Sequence, residues 1–133
     1  MRYALILFLM VLFPVSMLSA EERITQGAFV AAQFSNGNWY TGKITKINGK
    51  DYTVTFTDGD VAVLTQDKIR LFSKEIKLSE GERVLAVYGS GQMYTAVVKS
   101  VEGGSAMVKW EDGSGYANLA LNLIIKDIGA HKD

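Results

Sequence analysis

Short stretches in which apolar and polar residues alternate make up most of the chain after residue 20. Alternation with a period of two is typical of β-strands that bury one face. Gly, Asn and Asp interrupt these stretches every few residues, as they do in tight turns between antiparallel strands. In the first half the pattern predicts strands at Gly27–Phe34, Trp39–Ile47, Tyr52–Thr57, Val61–Leu64 and Ile69–Phe72, with a single 3₁₀ or helical turn at Thr65–Lys68.

The same pattern occurs twice along the chain. Two Asp-Gly turns begin at Asp58 and Asp112, 54 residues apart, and residues of the same type recur at that offset before them. The matched pairs include Gly27 with Gly81, Val30 with Val84, Phe34 with Tyr88, Gly37 with Gly91, Tyr40 with Tyr94 and Phe56 with Trp110. So many matches at one offset predict a tandem duplication.

Each repeat is small for an independent hydrophobic core. A strongly bent five-stranded sheet can close on itself as a small barrel and so remove most of its exposed edges. We therefore predict an all-β fold of two tandem five-stranded barrels, at residues 27–73 and 81–126, after a short segment at 21–26. The linker at 74–80 carries Ile76 and Leu78, which indicates that the barrels pack together. Residues 127–133 form a polar tail that contains the only histidine, His131.

The first twenty residues have the pattern of a signal peptide. Arg2 precedes an apolar run from Tyr3 to Phe13, Pro14 ends that run, and Ala20 closes a stretch rich in small residues. The alternative is an uncleaved anchor, because the charge-free stretch is close to the minimum length that spans a bilayer. Both interpretations predict export of the barrels, to a periplasm or to the medium, with membrane contact only through an uncleaved signal segment.

Composition excludes several classes of chemistry. The formal net charge is +0 and there is no cysteine, so disulfides and thiolate metal sites are ruled out. A single histidine in the tail leaves no Ser-His or Cys-His pair, and the acidic Asp58-Gly59-Asp60 turn lacks the spacing of a calcium loop. Basic residues are spread singly, which does not favour nucleic acid as a partner. We predict no enzymatic activity, no metal and no cofactor.

Aromatic residues are the strongest functional signal. Trp39 and Tyr40 are adjacent on one predicted strand and must point to opposite faces, so one of them lies outside its barrel core, where an exposed ring is expected. Three aromatic positions suggest a site: Phe34, Tyr40 and Phe56 could converge with Asp58 at one barrel end. Three π-faces and a carboxylate would attract a cation, at about 0.5–2 kcal/mol for each ring. The alternative for any one ring is ordinary core packing.

Each repeat resembles a Tudor domain, a small SH3-like barrel of the group that includes agenet and chromo-barrel modules. The resemblance covers nearly all of residues 27–125 and depends on one spacing of residue types in both repeats. The first copy reads Gly27-x-x-Val30-x-Ala32-x-Phe34-x-x-Gly37-x-x-Tyr40-x-Gly42-x-Ile44, then Tyr52-x-Val54-x-Phe56-x-Asp58-Gly59; the second reads Gly81-x-x-Val84-x-Ala86-x-Tyr88-x-x-Gly91-x-x-Tyr94-x-Ala96-x-Val98, then Val108-x-Trp110-x-Asp112-Gly113.

The resemblance implies an aromatic cage in each repeat, because Tudor modules typically bind methylated lysine or arginine in such a cage. By position, the first cage would consist of Phe34, Tyr40, Phe56 and Asp58, and the second of Tyr88, Tyr94, Trp110 and Asp112. Many cages have a further aromatic residue after the Asp-Gly pair, where this chain has Asp60 and Ser114.

Three functional hypotheses follow. The first is an exported, non-enzymatic binding module that recognises a peptide, a protein or a cationic, methylated-amine-like group through its aromatic ends. The alternative is a structural or envelope-interaction protein whose barrels contact cell-wall material or a larger assembly. An enzyme that uses an acidic pair such as Asp58 and Asp60 is disfavoured, because no pocket or shifted pKa is visible in the sequence.

Overall fold

The computed structural model describes residues 23–126, so the predicted signal peptide at 1–20 and the tail with His131 lie outside the described residues. The described chain contains ten β-strands, two 3₁₀ turns and no α-helix. The strands are β1 (Phe29–Gln33), β2 (Trp39–Asn48), β3 (Asp51–Phe56), β4 (Val61–Leu64), β5 (Ile69–Leu71), β6 (Arg83–Tyr88), β7 (Gln92–Glu102), β8 (Ser105–Trp110), β9 (Tyr116–Ala120) and β10 (Ile124–Lys126), and the 3₁₀ turns lie at Gln66–Lys68 and Leu121–Leu123.

Each repeat forms one five-stranded antiparallel barrel of the SH3-like type. Strands β1 to β4 pair in sequence order, and β5 returns after a 3₁₀ turn to pair with the free side of β1. Strands β6 to β9 pair in the same way, and β10 returns to β6. The prediction of an all-β fold with two small five-stranded barrels is confirmed.

The two barrel cores use equivalent positions. Each core is built from inward-pointing residues of the first, second, third and fifth strands of its barrel. The aromatic residue that ends the third strand lies at one end of the core. The first core contains Val30, Ala32, Ile44, Val54, Phe56 and Ile69, and the second contains their equivalents Val84, Ala86, Val98, Val108, Trp110 and Ile124. The duplication inferred from residue types is therefore also a duplication of packing.

The repeats differ by one residue after the Asp-Gly turns. In the first turn the Phe56 N–H donates to the Asp60 carbonyl, whereas in the second the Trp110 N–H donates to Gly115, one residue further on, both at 2.8 Å. The turn of the second repeat is thus one residue longer. Strands β9 and β10 consequently follow β4 and β5 at an offset of 55 rather than 54 residues, as Ile69 and Ile124 show.

The barrels join through strands β2 and β7, which pair antiparallel at Tyr40 and Gln92. All ten strands consequently belong to one sheet. This register places Trp39 opposite Met93, and these two residues are equivalents in the two repeats. An approximate two-fold axis therefore passes between them, as in a symmetric dimer whose subunits have been fused. The Thr41 N–H also donates to the Gly91 carbonyl across this junction, at 2.9 Å.

A third hydrophobic core fills the space between the barrels. It is built from outward-pointing residues of both barrels: Ala31, Trp39, Leu85, Met93 and Ile125, with Phe72 and Val87 packed against them. Trp39 is only 5% exposed, and the Arg70 guanidinium lies 5.6 Å from the centre of its ring. Trp39 does lie outside its barrel core, but the expectation of an exposed ring is wrong, because the second barrel covers it.

The linker also packs, on the second barrel. Ile76 and Leu78 contact the core of that barrel, and the Lys126 ammonium donates to the Lys77 carbonyl at 2.6 Å and to Glu82 at 2.9 Å. Burying these two apolar side chains removes their surface from water, which stabilises the fold. The segment between the barrels is therefore fixed to one of them rather than left as a free tether.

Gly91 provides the closest approach between the barrels. Its φ is +123°, and a Cβ there would lie 2.9 Å from Thr41 Oγ1 and 3.3 Å from Thr57 Cβ. The two threonines share a hydrogen bond of 2.6 Å, so neither hydroxyl can turn away without losing it. Gly37, the equivalent in the first repeat, has a φ of +88° but has nothing within 4 Å of such a Cβ.

We predict that Gly91→Ala destabilises the protein more than Gly37→Ala. Both substitutions place a side chain at positive φ, which costs about 1–3 kcal/mol. Only Gly91→Ala also crowds the junction, which adds about 1–3 kcal/mol, typical of overpacking. Urea unfolding of the two variants measures the difference. Equal losses of unfolding free energy would show that Gly91 does not pack tightly against the first barrel.

Candidate functional site

Three aromatic rings of the first barrel meet edge to face. Phe34 follows β1, Tyr40 lies near the start of β2 and Phe56 ends β3, so the strand ends bring them together. The ring centres are 5.6 Å apart for Phe34 and Phe56, 6.0 Å for Tyr40 and Phe56, and 6.1 Å for Phe34 and Tyr40, with interplanar angles of 79–88°. Perpendicular contacts of this kind add about 0.5–1.5 kcal/mol per pair beyond area burial. We call these residues aromatic cluster 1.

The rings of aromatic cluster 1 differ in exposure. Phe56 is buried in the barrel core, whereas Phe34 and Tyr40 are half-buried and lie at its edge. The Tyr40 hydroxyl accepts a hydrogen bond of 3.1 Å from the Asn36 amide in the preceding turn, which holds the ring in place. Phe56 is therefore the floor of the cluster, and Phe34 and Tyr40 are its walls.

The second barrel has an equivalent set of rings, aromatic cluster 2, formed by Tyr88, Tyr94 and Trp110, in which Tyr88 contacts both other rings. Tyr88 lies 5.5 Å from Tyr94 and 5.0 Å from Trp110, again close to perpendicular. Trp110 is buried, but Tyr88 is 45% exposed and Tyr94 is 39% exposed. The walls of this cluster are more open to solvent than those of the first.

The predicted carboxylates form turns. Asp58 Oδ1 accepts the Asp60 N–H at 3.0 Å, and Asp112 Oδ1 accepts the Ser114 N–H at 2.8 Å. The hydroxyl of Ser114, and then its N–H, hold the pKa of Asp112 below its usual value. Both carboxylates are exposed and follow the floor residue by two positions. Each cluster thus has a negative charge fixed on the turn after it, while a cage role for either carboxylate stays a prediction.

The cation-binding role predicted for the clusters depends on two physical effects. An aromatic face contributes about 0.5–2 kcal/mol to binding an ammonium group, and a neighbouring carboxylate adds attraction that salt screens.

Residues 23–126 contain no group of three or more acidic or histidine side chains placed to hold a metal ion. No helix in that part of the chain is long and apolar enough to cross a membrane.

The sequence did not reveal how the two clusters lie relative to each other. Gln92 pairs with Tyr88 on one side and with Tyr40 on the other, so it joins the two clusters. The available signal was that Trp39 and Met93, at the same position of each repeat, are large apolar residues on the face opposite the cluster tyrosines. Two such residues outside their barrel cores point to a shared interface.

No family model matches the sequence, and no curated protein matches it. Solved structures do match, and two of them are pairs of agenet domains. The AGD34 segment of Arabidopsis thaliana AGDP1 has a TM-score of 0.48 and 14% identity over 86% of this chain and 90% of that one. The tandem agenet domains 3–4 of ADCP1 have a TM-score of 0.45 and 14% identity over 86% of this chain and 88% of that one.

Proposed function

We propose that the protein is an exported, non-enzymatic binding module whose aromatic clusters hold a cationic, methylated-amine-like group of a peptide or protein. The observation that carries this proposal is the occurrence of an aromatic cluster in both barrels, with the walls of aromatic cluster 2 exposed to solvent. Tyr88 and Tyr94 keep large parts of their rings in water, although a ring used only for packing would gain by burial.

The electrostatics agree with a cationic ligand. Asp58 and Asp112 place a carboxylate on the turn next to each floor residue, Phe56 and Trp110. A quaternary ammonium suits such a site, because it is cationic, weakly hydrated and covered with methyl groups that pack on aromatic faces. The resemblance of each repeat to Tudor domains supports the same ligand class.

The expected affinity of one cluster is low. Two or three ring faces at about 0.5–2 kcal/mol each supply a few kcal/mol, and a free energy of −4.1 kcal/mol corresponds to a dissociation constant of about 1 mM. A single cationic group should therefore bind in the millimolar range, and useful affinity requires further contacts with the peptide or protein that carries it.

Nuclear magnetic resonance of the two indole N–H groups tests the proposal. The chain has two tryptophans: Trp110 is the floor of aromatic cluster 2, and Trp39 is buried between the barrels. Titration of residues 21–133 with tetramethylammonium and with trimethyllysine should shift the Trp110 signal and leave the Trp39 signal in place. Trp39 is therefore an internal control for salt effects.

Tyr94→Ala is the matched variant, because Tyr94 is exposed and its loss leaves the core intact. It should abolish the Trp110 response while the dispersion of the spectrum shows a folded protein. The proposal is wrong if neither ligand moves the Trp110 signal, or if Tyr94→Ala responds as the unchanged protein does.

Export is part of the proposal and is supported by the order of Arg2, the apolar run, Pro14 and Ala20 at the start of the chain. Expression of the full chain in a bacterial secretion host should release a protein whose mass corresponds to a start at Glu21. Arg2→Glu should reduce the amount released. A cytoplasmic protein of full mass would contradict export, and a full-length protein held in the membrane would favour the anchor.

A further inference from the structure

We propose that the two aromatic clusters act as one bivalent surface, which binds a single extended polypeptide segment bearing two cationic side chains. This inference rests on the proposed function of each cluster and adds that the clusters work together. It specifies the partner by geometry: two charges on one side of one chain, at a fixed separation.

The sheet register brings the clusters together. Gln92 pairs with Tyr40 of aromatic cluster 1 across β2 and with Tyr88 of aromatic cluster 2 across β6. Residues paired across neighbouring strands project from the same face of a sheet. Tyr40 and Tyr88 therefore stand on one face, on either side of Gln92. Two strand spacings separate their Cα atoms by about 10 Å.

The opposite face fixes this orientation. Trp39 and Met93 point into the core between the barrels, and successive strand residues point to opposite faces. Tyr40 and Tyr94 must therefore point away from that core and toward the open face. Because the core and the Thr41–Gly91 hydrogen bond hold the barrels together, the separation of the clusters does not depend on a flexible linker.

Two side-chain amides lie beside the clusters. Gln92 lies between Tyr40 and Tyr88 in the sheet, and Asn38, its equivalent in the first repeat, accepts the Phe34 N–H through its backbone carbonyl. Among residues 23–126, no hydrogen bond engages the side-chain amide of either one; Asn38 bonds only through its backbone. A side-chain amide both donates and accepts, which suits the backbone of an extended polypeptide that crosses between the clusters.

The charges fit a cationic partner. Asp58 and Asp60 lie on the turn beside aromatic cluster 1, and Asp112 lies on the turn beside aromatic cluster 2. One negative turn following the third strand of each barrel matches a ligand with two positive charges. Linking two weak contacts in one ligand raises its affinity by about 10²–10⁴ when the spacing fits.

Peptides with trimethyllysine at different spacings test this inference. In an extended chain, residues two and four positions apart lie on the same side and are separated by about 7 Å and 13 Å. We expect the peptide with a spacing of four to bind at one per protein and at least tenfold more tightly than a peptide with one trimethyllysine. The peptide with a spacing of two should gain less affinity. Its trimethyllysines lie about 7 Å apart, which is less than the roughly 10 Å between the cluster tyrosines, before the distance to the ring faces is added. Isothermal calorimetry measures both affinity and stoichiometry.

Variants that remove one cluster distinguish cation binding by each cluster from bivalent binding by both clusters together. Tyr40→Ala or Tyr94→Ala should reduce the doubly modified peptide to the affinity of the singly modified one, which the remaining cluster still binds. Binding of two molecules per protein, with an affinity independent of spacing, would overturn the bivalent surface and leave the function of each cluster standing. If neither peptide binds, both proposals are wrong.

Discussion

The pairing of β2 with β7, with Trp39 and Met93 buried beneath it, is the contact on which the arrangement of the molecule depends. Each barrel pairs its own five strands in one continuous antiparallel path and fills its own core. Without this junction the two would be small modules joined by a short linker. With it, outward-facing residues of both barrels become a third core, and the residues that alternate with them are directed to one common face. Packing thus sets the geometry of the candidate site.

The two repeats have diverged where they meet. Gly37 and Gly91 are equivalent, but only Gly91 lies against the other barrel, on the Thr41–Thr57 hydrogen bond. Thr57 corresponds in the second repeat to Glu111, which pairs instead with Arg83 at 2.8 and 3.0 Å. The two-fold symmetry of the junction therefore holds only at its centre, around Trp39 and Met93. Two repeats in one chain can change independently at their contact while their cores stay alike. The subunits of a homodimer cannot, because they share one sequence.

The architecture within each barrel could be predicted because it is local in sequence. Alternation fixes which residues point inward, and Asn-Gly and Asp-Gly turns fix where strands end. Packing of the barrels against each other was predicted from the linker, but the residues of the junction were not, because the position of Trp39 is compatible with an exposed ring until the second barrel is in place. The extra residue that shifts Ile124 relative to Ile69 was not predicted either, because the matches at an offset of 54 end at the Asp-Gly turns. The placement of Phe34, Tyr40 and Phe56 in contact follows from strand ends that the sequence did reveal.

Hydrogen exchange of the Thr41 amide is the most direct test of the central claim that the barrels form one body. This N–H donates to the Gly91 carbonyl of the other barrel, so its exchange requires the junction to open. If the junction is as stable as the barrels, the Thr41 amide should exchange as slowly as core amides such as that of Val54, only through global unfolding. Rapid exchange at Thr41, with Val54 still protected, would show that the barrels separate freely and would contradict a fixed common face.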